Sequence, residues 1–104
     1  MNYNLLPVIS KILRSEVITI VEQGAWIVGN LSCDSKLRDM LLNQGVMQIM
    51  VNYLREITDK SVVTISAWAL ANLSRGLPLP SYSQVAEGVA TLCRLLALGS
   101  ITNS

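Results

Sequence analysis

The sequence contains no histidine, only two cysteines, and charged side chains at just 14% of its positions. Without histidine, the chain has no imidazole for acid–base catalysis, for metal ligation or for activating a nucleophile. Cys33 and Cys93 do not form a CxxC pair, so their spacing indicates neither a zinc site nor a disulfide framework. We therefore expect that the protein is not an enzyme and that it holds no metal ion or cofactor.

Charged residues are too few for a nucleic-acid-binding protein, and apolar runs are too short for a membrane-spanning one. The net charge is +1 and the eight Lys and Arg residues are scattered, whereas nucleic-acid binding draws on clustered basic residues. No run reaches the roughly 18 to 20 apolar residues that a membrane-spanning helix needs. The N-terminal residues also lack the basic leader of a secretion signal. We expect a protein of the cytoplasm and nucleus that binds neither nucleic acid nor membranes.

Apolar residues make up 51% of the 104 positions, which is the opposite of the composition of a disordered chain. Within this apolar sequence, several segments occur more than once. WIVGNLS at 26–32 returns as WALANLS at 68–74, an offset of 42 residues. LPVISKILR at 6–14 returns as MQIMVNYLR at 47–55, and VATLCRLL follows at 89–96. A period of about 42 residues is typical of helical armadillo and HEAT repeats.

Apolar spacing and helix breakers divide the chain into helices. The helix that contains Trp26 is apolar on both sides, so we expect it to be buried. Gly45, Gly76 and Gly99 mark helix ends, together with the prolines that follow Gly76. The predicted helices span 5–13, 17–32, 35–43, 46–57 and 61–74, with a short helix at 83–87 and a longer one at 88–98.

These helices predict an all-α, right-handed superhelical armadillo solenoid of about two and a half repeats. Residues 1–34 supply the second and third helices of one repeat, 35–76 a full repeat, and 77–104 the first two helices of the next. A chain that begins and ends within a repeat is expected to expose apolar faces at both ends. Self-association through these ends is therefore one alternative for the role of the chain.

A stripe that is not aliphatic follows one face of the helix at 17–32, and the helix at 61–74 has a stripe at the equivalent positions. It contains Trp26 and Asn30 in the first helix, and Trp68 and Asn72 at the same spacing in the second. Stacking of the repeats brings the two stripes side by side on one surface. The other members of the stripes are Thr19, Gln23, Ser61 and Ile65.

The side chains of these stripes suit an extended, basic peptide. An Asn amide offers one acceptor and two donors, which match the C=O and N–H groups of a peptide backbone. Neighbouring indoles form slots whose faces attract cations and whose flanks pack against the long stems of Lys and Arg. The stripes therefore predict a groove that binds a peptide rich in Lys or Arg.

Longer motifs around the stripes resemble the importin-α (karyopherin-α) family. EQGAWIVGNLSCDS at 22–35 and NQGVMQIMVNYL at 43–54 are similar to the third armadillo repeat of that family. AWALANLSRGLPLP at 67–80 is similar to the fourth, including its Arg-Gly-x-Pro-x-Pro tail. The resemblance implies a nuclear import adaptor that binds nuclear localisation signal peptides in a concave groove.

The resemblance also implies roles for individual residues. Trp26 and Trp68 match the tryptophans that sandwich Lys and Arg stems, and Asn30 and Asn72 match the asparagines that clamp the backbone of the signal. The family usually has a polar residue at the position of Ile65, so one side-chain contact is expected to be lost.

Two further residues and one partner follow from the same resemblance. Gln23 matches a polar contact residue, and Asp34 matches the acid that pairs with the key lysine of the signal. The basic segment by which the family binds importin-β is absent from this sequence. We therefore do not expect importin-β to bind this chain directly.

Structural roles for the same residues stay open at this stage. Trp26 and Trp68 could belong to the core, and the two asparagines could tie one repeat to the next. Asp34 could be the N-cap of the following helix. The chain as a whole could also be an armadillo scaffold for another extended partner.

Overall fold

The computed structural model describes residues 6–57 and 59–99, and all the secondary structure in these ranges is α-helical. The expected all-α architecture is thereby confirmed. The predicted start of the first helix at Leu5 lies outside the described residues. The helices are α1 (Leu6–Leu13), α2 (Ile18–Leu31), α3 (Ser35–Asn43), α4 (Val46–Glu56), α5 (Lys60–Leu73) and α6 (Tyr82–Ala97).

Aspartates and glycines set several of the helix ends. Asp34 precedes α3 and Asp59 precedes α5, and each carboxylate accepts hydrogen bonds from two backbone N–H groups of the first turn. Gly45 separates α3 from α4 with a φ of +88°, in the left-handed region that favours glycine. These local signals explain why the predicted bounds of α3 agree with the structure.

The helices pack around one apolar core that is shared between the repeats. α2 and α5, which carry the repeated WxxxN motif, make the most extensive contact between any two helices. α4 packs against α5, α6 and α1. The contact between α2 and α5 therefore positions the two stripes beside each other. The fully buried apolar side chains of the core include Val28, Leu41, Val62, Leu70 and Leu73.

The prediction of two helices at 83–87 and 88–98 is wrong, because α6 runs without a break from Tyr82 to Ala97. Gly88, at which the second of these two helices was predicted to begin, is buried inside α6. A Cβ atom at this position would overlap with the side chain of Met47 in α4. The glycine therefore allows close packing of α6 against α4 and does not end the helix.

The expectation that α2 is buried on both sides is also wrong. Val21 and Val28 are buried, but Ile20 and Ile27 remain 46% and 44% exposed. In the described part of the chain, the face of α2 that carries these two isoleucines is open to solvent. Apolar content on both sides of a helix thus did not reveal whether a neighbour covers both sides.

Candidate functional site

The indoles of Trp26 and Trp68 both line an open groove on the surface that α2 and α5 share. Trp26 and Trp68 are 52% and 39% exposed, so neither is a fully buried core side chain. The groove has a volume of about 790 Å³ and a largely apolar surface. Its lining residues are Trp26, Lys60, Ser61, Thr64, Ile65 and Trp68.

A second, smaller groove of about 450 Å³ lies beside the first, and Trp26 and Ile65 line both. Gln23 lines this second groove together with Thr19 and Glu22. The structure therefore brings three of the six predicted site residues, Gln23 and the two tryptophans, to one continuous surface. Its charged groups differ along its length, because Glu22 lies in the smaller groove and Lys60 in the larger one.

The indole of Trp68 lies directly against the backbone of α2 at Gly29. A Cβ atom built on Gly29 would overlap with the six-membered ring of this indole. Glycine is therefore required at position 29 for Trp68 to adopt its place in the wall of the groove. Sequence reasoning missed this role of Gly29, because the pairing joins residues in different repeats.

The two predicted asparagines occupy different environments. Asn30 is exposed, and its side chain has no hydrogen-bond partner among the described residues. Asn72 is only 3% exposed, and its Nδ2 donates to the backbone oxygen of Gly29 at 3.1 Å. Its Oδ1 accepts a hydrogen bond from Nε of Arg75 at 2.9 Å. Asn72 therefore ties α5 to α2, while the side chain of Asn30 is exposed to solvent.

Asp34 is the N-cap of α3, which was the structural alternative for this residue. Its Oδ1 accepts from the backbone N–H groups of Lys36 and Leu37 at 2.9 and 3.2 Å. Its Oδ2 has no hydrogen-bond partner among the described residues and the side chain is exposed. Asp34 lines neither groove. Capping therefore leaves one carboxylate oxygen free, outside the two grooves.

Arg38 is a buried cation that the sequence analysis did not single out. Its side chain is 1% exposed, and it forms an ion pair with Asp39 at 2.8 Å. Nη1 donates to the backbone oxygen of Arg75 at 3.0 Å, and Nη2 donates to that of Pro78 at 2.6 Å. The guanidinium thus anchors the segment that follows α5. The Arg-Gly-x-Pro pattern of that segment is a sequence signal that could have indicated a buried hydrogen-bond donor to its backbone.

The hydroxyl of Ser61, which lines the larger groove, is already used within the protein. It donates to Oδ1 of Asp59 at 2.7 Å. This bond, together with the backbone N–H bond from Val62, lowers the pKa of the Asp59 carboxyl below its usual value. The groove therefore presents indole and aliphatic surface at this point in place of a free hydroxyl donor.

The described residues contain no cluster of three or more side chains of the types that hold metal ions. No helix in the described ranges combines the length and the hydropathy of a membrane span.

Comparison with known proteins identifies the class of the chain. The family model of the Armadillo/beta-catenin-like repeat matches residues 34–75. Importin subunit alpha-1b of Oryza sativa subsp. japonica is 34% identical over 92 residues, which cover 88% of this chain and 17% of that protein. Importin subunit alpha-2 of Arabidopsis thaliana is 33% identical over the same shares of the two chains. Probable importin subunit alpha-A of Dictyostelium discoideum is 28% identical over 92% of this chain and 20% of its own length.

Residues 34–75 match an armadillo repeat, which agrees with the fold class that the predicted helices and the repeat period indicated. More particularly, the chain is importin-α-like over about nine-tenths of its length. It spans 17% of the length of the first two relatives named above. The armadillo-repeat importin-α family consists of adaptors without enzymatic activity, which agrees with the expectation that the chain is not an enzyme.

Proposed function

We propose that the chain binds Lys- or Arg-rich nuclear localisation signal peptides in the groove between Trp26 and Trp68. The activity would belong to a nuclear import adaptor that moves between cytoplasm and nucleus, and the names of the relatives support this role. The observation that carries the proposal is the pair of half-exposed indoles on one apolar groove. Indole faces attract cations, and the aliphatic stems of Lys and Arg pack well against such surfaces.

The remaining site residues have distinct parts in this proposal. Asn30 offers to the peptide backbone an exposed amide that has no partner among the described residues. Gln23 and Glu22 line the smaller groove, where the carboxylate favours a cationic side chain. Oδ2 of Asp34 is available to a lysine ammonium because the helix cap uses only Oδ1. Oδ1 of Asn72 accepts one hydrogen bond within the protein and keeps a second lone pair for a peptide N–H.

Binding of a single peptide is expected to be weak. Only two stripes share the entropic cost of ordering a flexible ligand, and Lys60 opposes cationic side chains in the larger groove. We expect a dissociation constant in the micromolar range or higher.

Tryptophan emission tests this function directly, because both tryptophans of the chain line the groove. The chain is titrated with a short Lys/Arg-rich peptide and with the same peptide carrying alanine at the basic positions. We expect a saturable change that weakens with salt for the basic peptide alone. No change with a folded chain at high peptide concentration contradicts the proposal and favours a scaffold for another partner or self-association.

A pair of matched variants locates the binding surface. Trp26→Ala is expected to lower the affinity for the basic peptide roughly tenfold, because cation–π contacts and contacts with the aliphatic stems are lost. Tyr82→Ala removes an aromatic side chain that is 79% exposed on α6 and lines neither groove. Equal affinities of the two variants would place the ligand elsewhere. Unfolding of Trp26→Ala, seen by circular dichroism, would instead make Trp26 a structural residue.

A further inference from the structure

Each of the two grooves contains one charged side chain, and the two charges have opposite signs. Lys60 is the one charged residue among the six described residues that line the larger groove. Glu22 is the one charged residue among the five that line the smaller groove. Trp26 and Ile65 line both grooves and carry no charge. The continuous surface therefore has a positive part and a negative part that share an uncharged wall.

The charge of Lys60 is not neutralised by a partner in the described part of the chain. There, the ion pair between Arg38 and Asp39 is the only one, so neither Lys60 nor Glu22 has an ionic partner. Asp59 directly precedes Lys60, but adjacent residues of a helix do not face each other. Oδ1 of Asp59 also already accepts three hydrogen bonds from the first turn of α5. The ammonium of Lys60 is thus available to a ligand.

The surroundings of Lys60 favour an ammonium that stays over the larger groove. Lys60 also lines another cavity, of about 480 Å³. The other charged side chains that line this cavity are Arg55 and Arg94, and no carboxylate is among its described lining residues. Repulsion between like charges disfavours a lysine that turns into this cavity. In the larger groove, by contrast, the ammonium meets no second cation.

The other polar side chains of the larger groove are already used within the protein. The hydroxyl of Ser61 donates to Oδ1 of Asp59 at 2.7 Å, and that of Thr64 donates to the backbone oxygen of Lys60 at 2.8 Å. Ile65 has no polar side-chain atom. A charged side chain of a ligand therefore meets Lys60 as its main electrostatic partner in this groove, and such complementarity determines specificity.

We propose that Lys60 is a specificity residue of the peptide groove, which selects an acidic side chain and disfavours a basic one at the ligand position beside it. This inference rests on the proposed function, because it concerns the charge pattern of the peptide that the same surface binds. Glu22 selects a basic side chain in the smaller groove. The preferred ligand therefore combines basic residues with one acidic residue close to them, whereas an unbroken run of Lys or Arg places a cation beside Lys60.

Peptide titrations with exchanged charges provide the test. The probes are peptides with one Lys-Arg pair in a background of serine and alanine, in which Glu, Ala or Lys occupies each neighbouring position in turn. At one position, we expect Glu to bind about threefold more tightly than Ala, and Lys about threefold more weakly. Lys60→Met is expected to abolish both preferences, and Lys60→Glu to reverse them. Lys11→Glu makes the same change of charge at an exposed position of α1 that lines neither groove, and it is expected to keep the wild-type order.

The outcomes of these titrations separate this inference from the proposed function. A chain that binds the basic pair without any preference for Glu overturns the role of Lys60 and leaves the proposed function intact. A preference that survives in Lys60→Met has the same meaning. A preference that Lys11→Glu also reverses reports net charge alone and overturns the role of Lys60 as well. A folded wild-type chain that binds none of the peptides overturns both proposals.

A second measurement needs no peptide. Both tryptophans of the chain line the larger groove, so collisional quenching of their emission by iodide and by caesium reports the local charge. At constant ionic strength, we expect the ratio of the iodide to the caesium quenching constant to fall roughly twofold in Lys60→Met and further in Lys60→Glu. The ratio is expected to stay at the wild-type value in Lys11→Glu. An unchanged ratio in folded Lys60 variants overturns the placement of the ammonium beside the indoles.

Discussion

The helices α2 and α5 carry the same WxxxN motif, yet their surroundings differ. Ile20 and Ile27 of α2 are largely exposed, whereas the equivalent Val62 and Ala69 of α5 are fully buried. α5 has α2 on one side, and the corresponding side of α2 is open among the described residues. The difference shows that the role of a repeated residue is set by the neighbouring repeat as much as by its own motif.

The same contrast divides the tryptophans and the asparagines. In α5, Trp68 rests on Gly29 and Asn72 bonds to the oxygen of the same glycine. In α2, Trp26 is more exposed and Asn30 has no such partner among the described residues. The motif in α5 thus has a structural role between the two helices, whereas the Trp and Asn side chains of the motif in α2 are exposed.

The largest loss of stability is expected when a side chain is added at Gly29. Gly29→Leu places a branched side chain where the indole of Trp68 lies, so α2 and α5 must separate or the indole must turn away. We expect a loss of roughly 3 kcal/mol in the free energy of unfolding, as for an overpacked core. Urea unfolding measures this loss, and Asn30→Leu at the exposed neighbouring position is the control. Similar stabilities of the two variants would mean that Trp68 does not need the space above Gly29.

A smaller loss of stability is expected on substitution of Asn72, and almost none on substitution of Asn30. Asn72→Ala removes the hydrogen bond from Nδ2 to the backbone oxygen of Gly29 and the bond from Nε of Arg75 to Oδ1, and we expect a loss of about 2 kcal/mol in stability. Asn30→Ala is expected to stay within ~0.5 kcal/mol of the wild type, because its side chain is exposed. Alanine raises helix propensity equally at both sites, so the difference reports the hydrogen bonds. Equal stabilities in chemical denaturation would contradict the structural role of Asn72.

Much of the helical framework followed from local signals in the sequence. Asp34 before α3 and Gly45 after it are residues whose own chemistry begins or ends a helix, so their positions could be predicted. The boundary predicted between residues 87 and 88 is wrong, because Gly88 lies where α6 approaches α4 closely, and only the position of Met47 shows this. The repeat period likewise predicted that the two tryptophans would share a surface.

What the sequence could not show is the pairing between repeats. Asn30 and Asn72 lie in the same WxxxNLS motif, so the motif does not distinguish the exposed amide from the buried, bonded one. Arg38 is 37 residues away from Arg75 in sequence, and their contact depends on how α3 meets the end of α5. Such pairs follow from packing geometry, which the period of a repeat sets only approximately.

The N-terminal caps of α2 and α5 also differ. α5 begins after Asp59, whose carboxylate accepts from the first turn, whereas Val17 before α2 provides no side-chain cap. Hydrogen bonds from the Ser61 hydroxyl and the Val62 backbone lower the pKa of Asp59 in the folded chain. The ionised carboxylate therefore stabilises the fold above the pKa of the unfolded state, and this contribution disappears as the pH falls through the folded pKa.

The smallest predicted effect is a change in pH dependence at this cap. Asp59→Asn keeps a capping oxygen but removes the titration, so the stability of the wild type relative to this variant is expected to decrease as the pH falls below about 4, the usual pKa of an aspartate. Ser61→Ala removes the largest cause of the lowered pKa, and we expect it to reduce the pH dependence of stability partially. Urea unfolding at several pH values measures both. A difference between wild type and Asp59→Asn that does not vary with pH would show that the cap acts by its hydrogen bonds without its charge.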